Sequence, residues 1–259
     1  MSEQLYARAK GTGRQAVVLL HGFGGSNMDW NDIQPDLARD GLVLAYDLPG
    51  HGRSLEHPAA GNASGMAKAI LADLDARGIA KAHVAGFSMG GAVATLMGMR
   101  APDRVASLTL IAPGGFGPEI NEPLLKAIAD PPSADALREG LSAMGAPGFE
   151  MPTKNVAVAA AMRTLPGQTA KLAEIAAKIS KDGRQGEIPR DAMAGLNMPV
   201  TVIWGDADPV LPFSQSANLP PAFQFVRVAG AGHMLPDEAR KTVIQVIRQT
   251  MRRQAQRKP

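Results

Sequence analysis

One pentapeptide constrains the fold of this chain more than any other feature of its sequence. Residues 86–90 read Gly-Phe-Ser-Met-Gly and lie between a segment that predicts a strand, Ala82–Ala85, and one that predicts a helix, Gly91–Arg100. A serine on a sharp strand-to-helix turn has a strained backbone, and the flanking glycines leave room for it. The pattern therefore predicts that the Ser88 hydroxyl stands above a sheet edge, beside a helix N-terminus.

Short apolar runs followed by turns predict the other strands. Continuous apolar runs are typical of strands covered on both faces, as in parallel sheets. Two such runs, Ala16–Leu20 and Leu42–Tyr46, are each followed by a glycine-rich turn, and further strands are predicted at Ser107–Ala112, Val200–Trp204 and Gln224–Val228, with helices at Ser64–Arg77 and Glu238–Arg253. Because strands and helices alternate, we predict an α/β fold with a mostly parallel sheet and helices on both faces.

One interval, from Pro113 to Met198, contains no convincing strand. It instead shows four helical patches separated by proline and glycine: Glu119–Asp130, Ala134–Met144, Asn155–Leu165 and Thr169–Lys181. We interpret this interval as an inserted helical cap. The predicted organisation is a core of residues 1–113, a cap of residues 114–197 and a second part of the core, residues 198–259.

Composition excludes several classes of protein. The longest apolar runs, such as Val156–Met162, are far shorter than the roughly 20 residues of a membrane span, and the start lacks the features of a secretory leader, which favours a cytoplasmic location. The absence of cysteine excludes disulfides and a cysteine nucleophile. No metal-binding or nucleotide-binding motif is present, so we expect neither a metal nor a cofactor.

The positive charge of the chain is concentrated at its C-terminus. The net charge is +3, but seven Lys and Arg and no acidic residue follow Glu238, so the remainder carries −4. With only 4% aromatic residues and no basic stripe across the body, nucleic-acid binding is not expected. We interpret the tail as a solvated helix end, with contact to an acidic partner or membrane surface as the alternative.

A serine hydroxyl needs a base, and the base needs an acid to orient it. His233 follows the predicted strand Gln224–Val228, while Asp206 and Asp208 follow Val200–Trp204. The chain order Ser, Asp, His is the order of the nucleophile-elbow fold. From position alone either aspartate can be the acid. The histidines of two glycine turns, His21 and His51, are expected to hydrogen-bond to the backbone.

These landmarks together resemble the α/β-hydrolase superfamily over nearly the whole chain. They are His21–Gly25, Asp47–Ser54, Gly86–Gly91, Trp204–Asp208 and Gly232–His233. Within the superfamily, Arg104–Pro113, continuing to Gly117–Asn121, is most similar to the hydrolase-type domain of acetoin dehydrogenase E2 (dihydrolipoamide acetyltransferase) subunits. Those subunits also carry a lipoyl domain, which the 259 residues do not include.

The resemblance implies a role for each residue of the site. Ser88 would be the nucleophile, His233 the general base and Asp208 the acid, because the family places its acid three residues after the glycine that Gly205 matches. The oxyanion hole would be formed by the backbone N–H groups of Phe23 and Met89. A serine at the elbow argues against haloalkane dehalogenases and epoxide hydrolases, which use aspartate there.

Flexible and aromatic side chains around the predicted site suggest an apolar substrate pocket. The candidates are Met28, Phe116, Met144, Phe149, Met162 and Met234, and the alternative is that they are core residues joining the cap to the sheet. Arg163 either points its guanidinium at a substrate carboxylate or lies on the surface.

We therefore predict a cofactor-free serine hydrolase, first a carboxylesterase acting on small to medium apolar acyl esters. Hydrolysis of a carbon–carbon bond in a β-diketone or vinylogous diketone is the first alternative. An acyl-transfer or weakly active binding module related to acetoin dehydrogenase E2 is the second. The expected partner is a small-molecule ester or ketone; a homodimer and a weak association with a dehydrogenase complex are left open.

Overall fold

Seven strands form one sheet in the order β1-β3-β2-β4-β5-β6-β7 in the computed structural model, which describes residues 5–256. The strands are β1 (Ala7–Lys10), β2 (Ala16–Leu20), β3 (Leu42–Tyr46), β4 (Ala82–Phe87), β5 (Val105–Ile111), β6 (Val200–Gly205) and β7 (Gln224–Val228). The chain start and the last two tail cations, Arg257 and Lys258, lie outside the described residues. The predicted mostly parallel sheet is confirmed, because only β1 pairs antiparallel, with β3.

The centre of the sheet is buried on both faces, as its apolar runs predict. Every residue of β2, β4, β5 and β6 is buried. The edge strand β1, with the sequence Ala-Arg-Ala-Lys, is half-buried to exposed and was not predicted. It has no apolar run because an edge strand of this kind buries little of its surface.

Two long helices cover opposite faces of the sheet. The helices of the core are α1 (Gln34–Leu37), α2 (Ala63–Ala76), α3 (Met89–Arg100), α9 (Leu235–Glu238) and α10 (Arg240–Gln256). Gly98 of α3 lies against Leu108 of β5, whereas Thr250 of α10 hydrogen-bonds to Thr201 of β6 at 2.7 Å. Thr201 pairs with Thr109, the neighbour of Leu108. Because successive residues of a strand point to opposite faces, α3 and α10 lie on opposite sides.

The segment between β5 and β6 is helical. It contains α4 (Glu122–Ala129), α5 (Ala134–Ser142), α6 (Thr153–Arg163), α7 (Gln168–Ile179) and α8 (Arg190–Ala194). The first two begin at capping side chains, since Asn121 accepts a hydrogen bond from Leu124 N–H and Ser133 accepts one from Ala136 N–H. Helices α4 to α7 pack on one another, and we refer to them as the cap. No helix in residues 5–256 is long and apolar enough to cross a membrane.

Buried polar contacts attach the cap to the core. The Gln168 side chain of α7 is fully buried; its Nε2 donates to the Gly50 carbonyl at 2.9 Å and its Oε1 accepts from Gly52 N–H at 2.8 Å. On α6, Asn155 Nδ2 donates to Asp237 Oδ1 at 2.6 Å. The cap is therefore held by specific hydrogen bonds as well as by apolar packing.

Candidate active site

Ser88 occupies a strained turn between β4 and α3. Its φ and ψ angles are +53° and −118°, a left-handed conformation that non-glycine residues rarely adopt. A Cβ atom on Gly86 would lie 2.2 Å from the Gly90 carbonyl oxygen, and one on Gly90 would lie 2.4 Å from the Leu20 carbonyl oxygen. Only glycine fits at either position, which explains why the pentapeptide has glycine on both sides of the serine.

His233 is paired with Asp208 and not with Asp206. The His233 ring is fully buried, and its Nδ1 lies 2.8 Å from Asp208 Oδ2. Asp206 instead contacts the Arg227 guanidinium at 2.6 Å and accepts a hydrogen bond from Gly230 N–H at 2.7 Å. The Arg227 hydrogen bond lowers the pKa of the Asp206 carboxyl. The geometry thus separates the two aspartates that the sequence left open.

The Asp208 carboxylate is fixed by three other donors. Its Oδ1 accepts from the backbone N–H groups of Val210 and Leu211 at 2.8 and 2.9 Å, and its Oδ2 accepts from Trp204 Nε1 at 3.0 Å. All three contacts are accepted by the carboxyl oxygens, which makes Asp208 the acceptor of its group of hydrogen bonds. We therefore assign the ring proton of His233 to Nδ1, which donates to Asp208.

The other ring nitrogen of His233 is unpaired. Nε2 is buried and has no hydrogen-bond partner within residues 5–256, and the ring lies 4.9 Å from the Phe87 ring, the neighbour of Ser88. A buried acceptor without a donor costs about 1–3 kcal/mol, so it is unusual outside functional sites. Its lone pair is available to accept a proton at the sheet edge where Ser88 stands.

Phe23 and Met89, the residues predicted for the oxyanion hole, both line a cavity beside Ser88. Met89 is the first residue of α3, where N–H groups lack intrahelical partners. Phe23 lies in the turn after β2, in which Gly25 N–H bonds the Gly22 carbonyl and Gly24 N–H bonds His51 Nε2, leaving the Phe23 N–H unused by either contact. Such groups can stabilise a developing oxyanion.

His21 and His51 support these loops, which confirms the prediction that they bond to backbone. His21 Nε2 accepts from Leu48 N–H at 2.9 Å while its Nδ1 donates to the Gly22 carbonyl at 2.7 Å. Burial lowers the pKa of His21 to about 4 and that of His51 to about 3, so both rings are neutral near pH 7. Neither has a nitrogen left for catalysis.

A cavity of about 800 Å³ opens at Ser88 between the core and the cap. Its walls are mainly apolar and include Leu96, Met99, Leu125, Ile179 and Ile188, which the sequence analysis missed. Part of this wall could have been predicted from the sequence, because its residues on α3 follow one another at helical spacing and share one face of the helix. They are Met89, Ala92, Leu96 and Met99.

Three of the predicted pocket residues lie at a second, smaller cavity. Met28, Met144 and Met234 line a space of about 50 Å³ next to Phe23 and Phe87. The remaining four, Phe116, Phe149, Met162 and Arg163, line neither cavity. Phe116 and Met162 are buried, and Phe149 is half-buried and packs against Gly145. These three apolar side chains join the cap to the core instead of lining a cavity.

Arg163 occupies a place that neither predicted alternative describes. Its guanidinium is half-buried and donates to the carbonyls of Ile128 and Ala159, both at 2.9 Å, and to that of Gly24 at 3.4 Å. Burial lowers its pKa to about 10, so the group is still charged at neutral pH. Arg163 thus ties two cap helices to the Phe23 turn and has little capacity for a substrate carboxylate.

The chain belongs to the alpha/beta hydrolase family, whose model matches residues 17–246. It is 36% identical over 235 residues to the dihydrolipoyllysine-residue acetyltransferase component of the acetoin cleaving system of Pseudomonas putida, covering 91% of this chain and 63% of that protein. The chain thus spans less than two thirds of that relative. The predicted resemblance and the predicted fold are both confirmed.

Two further proteins are similar to this chain over most of the length of both sequences. The chain is 30% identical over 241 residues to the pimeloyl-[acyl-carrier protein] methyl ester esterase of Vibrio parahaemolyticus, covering 87% of this chain and 90% of that enzyme. The solved meta-cleavage product hydrolase of Pseudomonas fluorescens IP01 superimposes with a TM-score of 0.83 at 21% identity, covering 96% and 94% of the two chains. At 21% identity, the similarity to this solved structure shows the fold alone.

Proposed function

We propose that this protein is a serine hydrolase that cleaves carboxylic esters with small to medium apolar acyl groups. The observation that carries the proposal is the buried His233–Asp208 pair, 2.8 Å apart, with Nε2 of His233 unpaired at the sheet edge of Ser88. In this assignment Ser88 is the nucleophile, His233 the general base and Asp208 the group that orients it.

The proposed reaction has two halves. Ser88 Oγ attacks the ester carbonyl and gives its proton to His233 Nε2, while the N–H groups of Phe23 and Met89 hold the oxyanion. The imidazolium, stabilised by Asp208, then protonates the departing alcohol. Water then attacks the acyl-Ser88 carbonyl and gives a proton to His233 Nε2. The carboxylic acid leaves as Ser88 Oγ takes that proton back, which regenerates the enzyme.

The large cavity supports an apolar acyl group. At about 800 Å³ it is within the range of small-molecule sites, and Ala92, Leu96 and Met99 form an apolar wall that runs along α3 away from Ser88. The named activity of the Vibrio relative, a methyl ester esterase, is consistent with ester chemistry.

Carbon–carbon hydrolysis and acyl transfer remain the alternatives. The same Ser88 and His233 can serve all three reactions, and the Pseudomonas putida relative is named as an acetyltransferase component. The ester is placed first because the contacts of Arg163 with backbone carbonyls leave that residue poorly suited to hold the carboxylate of an acidic diketone.

The test is hydrolysis of p-nitrophenyl esters from acetyl to dodecanoyl, run beside the Ser88→Ala variant. We expect turnover with an optimum at medium chain length, and a loss of at least about 10³-fold in Ser88→Ala, because nothing replaces the nucleophile. Equal hydrolysis by Ser88→Ala would overturn the proposal. An intact enzyme without ester turnover would shift the assignment to diketones, and inactivity on those would favour the binding module.

Filling the large cavity should shorten the preferred acyl chain. We expect Leu96→Trp to lower kcat/KM for the decanoyl ester at least about tenfold while acetyl ester hydrolysis changes little, since steric loss of one or two methylenes costs about 1–3 kcal/mol. Leu165→Trp is the matched control, because Leu165 is 39% exposed and lines neither cavity. A uniform loss across the series in Leu96→Trp would contradict the placement of the acyl chain.

A further inference from the structure

The loop that carries His233 is held by a second carboxylate, on the short helix α9. Glu238 Oε2 accepts a hydrogen bond from Gly232 N–H at 2.9 Å and another from Ala146 N–H at 3.0 Å. Gly232 immediately precedes His233, and Ala146 lies in the turn that follows cap helix α5. A single oxygen atom therefore joins the histidine loop to the cap.

The same cap turn also contacts the histidine directly. The backbone N–H of His233 donates to the Met144 carbonyl at 3.0 Å. A Cβ atom on Gly232 would lie 2.2 Å from Ala146 N, so the loop and the turn are in close backbone contact. On the other side, a Cβ atom on Gly205, at the end of β6, would lie 2.3 Å from the Gly232 oxygen. The loop is thus clamped between the cap and the sheet.

The second oxygen of Glu238 gives independent weight to this contact. Oε1 is buried and has no hydrogen-bond partner among residues 5–256. Burying an unpaired carboxylate oxygen is unfavourable, and removing Glu238 would also leave the Gly232 and Ala146 N–H groups without their acceptor. The two hydrogen bonds of Oε2 are the favourable interactions that offset the cost of burying Oε1.

We propose that Glu238 is a positioning residue that sets the distance between His233 Nε2 and Ser88 Oγ through the cap turn. The inference rests on the proposed serine hydrolase function. Because Ala146 shares the same carboxylate oxygen, a movement of the cap turn displaces the loop that carries the base. The position of the cap and the activation of Ser88 are therefore coupled.

Three variants of Glu238 test this role. Glu238→Ala removes both hydrogen bonds, Glu238→Asp shortens their reach by one methylene, and Glu238→Gln keeps an oxygen that accepts both N–H groups. Thr250→Val is the matched control, because it removes a buried side-chain hydrogen bond on α10, away from the site. The measurements are kcat and KM for p-nitrophenyl butyrate and the rate at which a fluorophosphonate modifies Ser88.

We expect Glu238→Ala and Glu238→Asp to lower kcat by about 100-fold with little change in KM, the size of effect that a displacement of about 1 Å produces. Fluorophosphonate modification should slow in parallel, since it also needs the base. Glu238→Gln should retain kcat within about fivefold even if its Tm falls, and Thr250→Val should retain kcat.

A Glu238→Asp variant with the kcat of the wild-type enzyme would overturn the inference. This comparison remains valid if Glu238→Ala does not fold. A loss of kcat in Thr250→Val equal to that in the Glu238 variants would overturn it as well, because the effect would then be general destabilisation. Failure of the proposed function looks different: the wild-type enzyme would neither hydrolyse the ester nor be modified at Ser88.

Discussion

Asparagine in place of Asp208 is expected to lower kcat/KM for esters by about 10⁴-fold, whereas asparagine in place of Asp206 should leave it within about twofold. The two residues lie two positions apart in one turn, but only Asp208 contacts the base, at 2.8 Å. Asp206 interacts with Arg227 and Gly230 instead. The pair of variants is therefore a matched comparison of nearly identical chemical changes.

The physical reason lies in which end of the new amide would face the histidine. Val210 and Leu211 both donate to Oδ1 of Asp208, so the amide oxygen must take that position. The amide NH₂ then replaces Oδ2 and faces His233 Nδ1, which must give up its proton and carry it on Nε2. A protonated Nε2 cannot accept the hydroxyl proton of Ser88, so the base is lost while the fold survives.

Steady-state kinetics and circular dichroism of both variants check this result. The Asp208→Asn variant should also lose some stability, because Trp204 Nε1 then meets an amide donor instead of an acceptor. Activity lost in Asp206→Asn but kept in Asp208→Asn would reverse the assignment of the acid.

Acidification from pH 7.5 to pH 5 is expected to lower the free energy of unfolding. Burial lowers the pKa of His21 and His83 to about 4 and that of His51 to about 3. Since the unfolded chain takes up protons near pH 6.5 and the folded rings do not, their contribution is complete above pH 6.5 and is lost as the pH falls toward 4. At pH 5 this amounts to about 2 kcal/mol for each histidine.

Two carboxyls act in the opposite direction. Partial desolvation raises the pKa of Asp29 to about 7 and that of Asp237 to about 6, so both favour the folded state as the pH falls. They line the smaller cavity and are reached by solvent, which weakens their contribution relative to the fully buried rings. The histidines therefore determine the sign of the change.

Urea unfolding at the two pH values, with His83→Gln as the comparison, measures this effect. His83 contacts Ser107 Oγ at 2.8 Å and belongs neither to the site nor to either cavity. The variant should show a decrease between pH 7.5 and pH 5 that is smaller by about 2 kcal/mol, with ester hydrolysis unchanged at pH 7.5. An identical decrease in both proteins would show that His83 takes up its proton in the folded state.

The parts of the site that depend on short stretches of backbone could be predicted from the sequence. The turn at Ser88 needs glycine on both sides for steric reasons, and that requirement is visible in the pentapeptide. The apolar strands on either side of it are buried on both faces, so their composition identifies them. Strand β1 was missed because it is half-buried to exposed and so has no apolar run that could identify it.

The parts that depend on packing between distant segments could not be predicted. Arg163 bonds to carbonyls 35 and 139 positions away, and nothing in its own helix indicates those partners. Glu238 was missed because its partners, Gly232 and Ala146, offer backbone groups that every residue type has. In the sequence, an apolar cap residue that lines a cavity cannot be distinguished from one that fills the core. Which of the two it does depends on how the cap helices pack on the sheet.

The attachment of Gln168 limits how freely the cap can be exchanged in protein engineering. Its amide bonds Gly50 and Gly52, which flank His51, and His51 in turn accepts the N–H of Gly24 beside Phe23. A chimera that replaces residues 114–197 without an amide at this position would leave the buried Gly50 carbonyl and the half-buried Gly52 N–H unpaired and would loosen the Phe23 turn. Transplanted specificity in this scaffold therefore requires that the graft bring its own contact to the 50–52 loop.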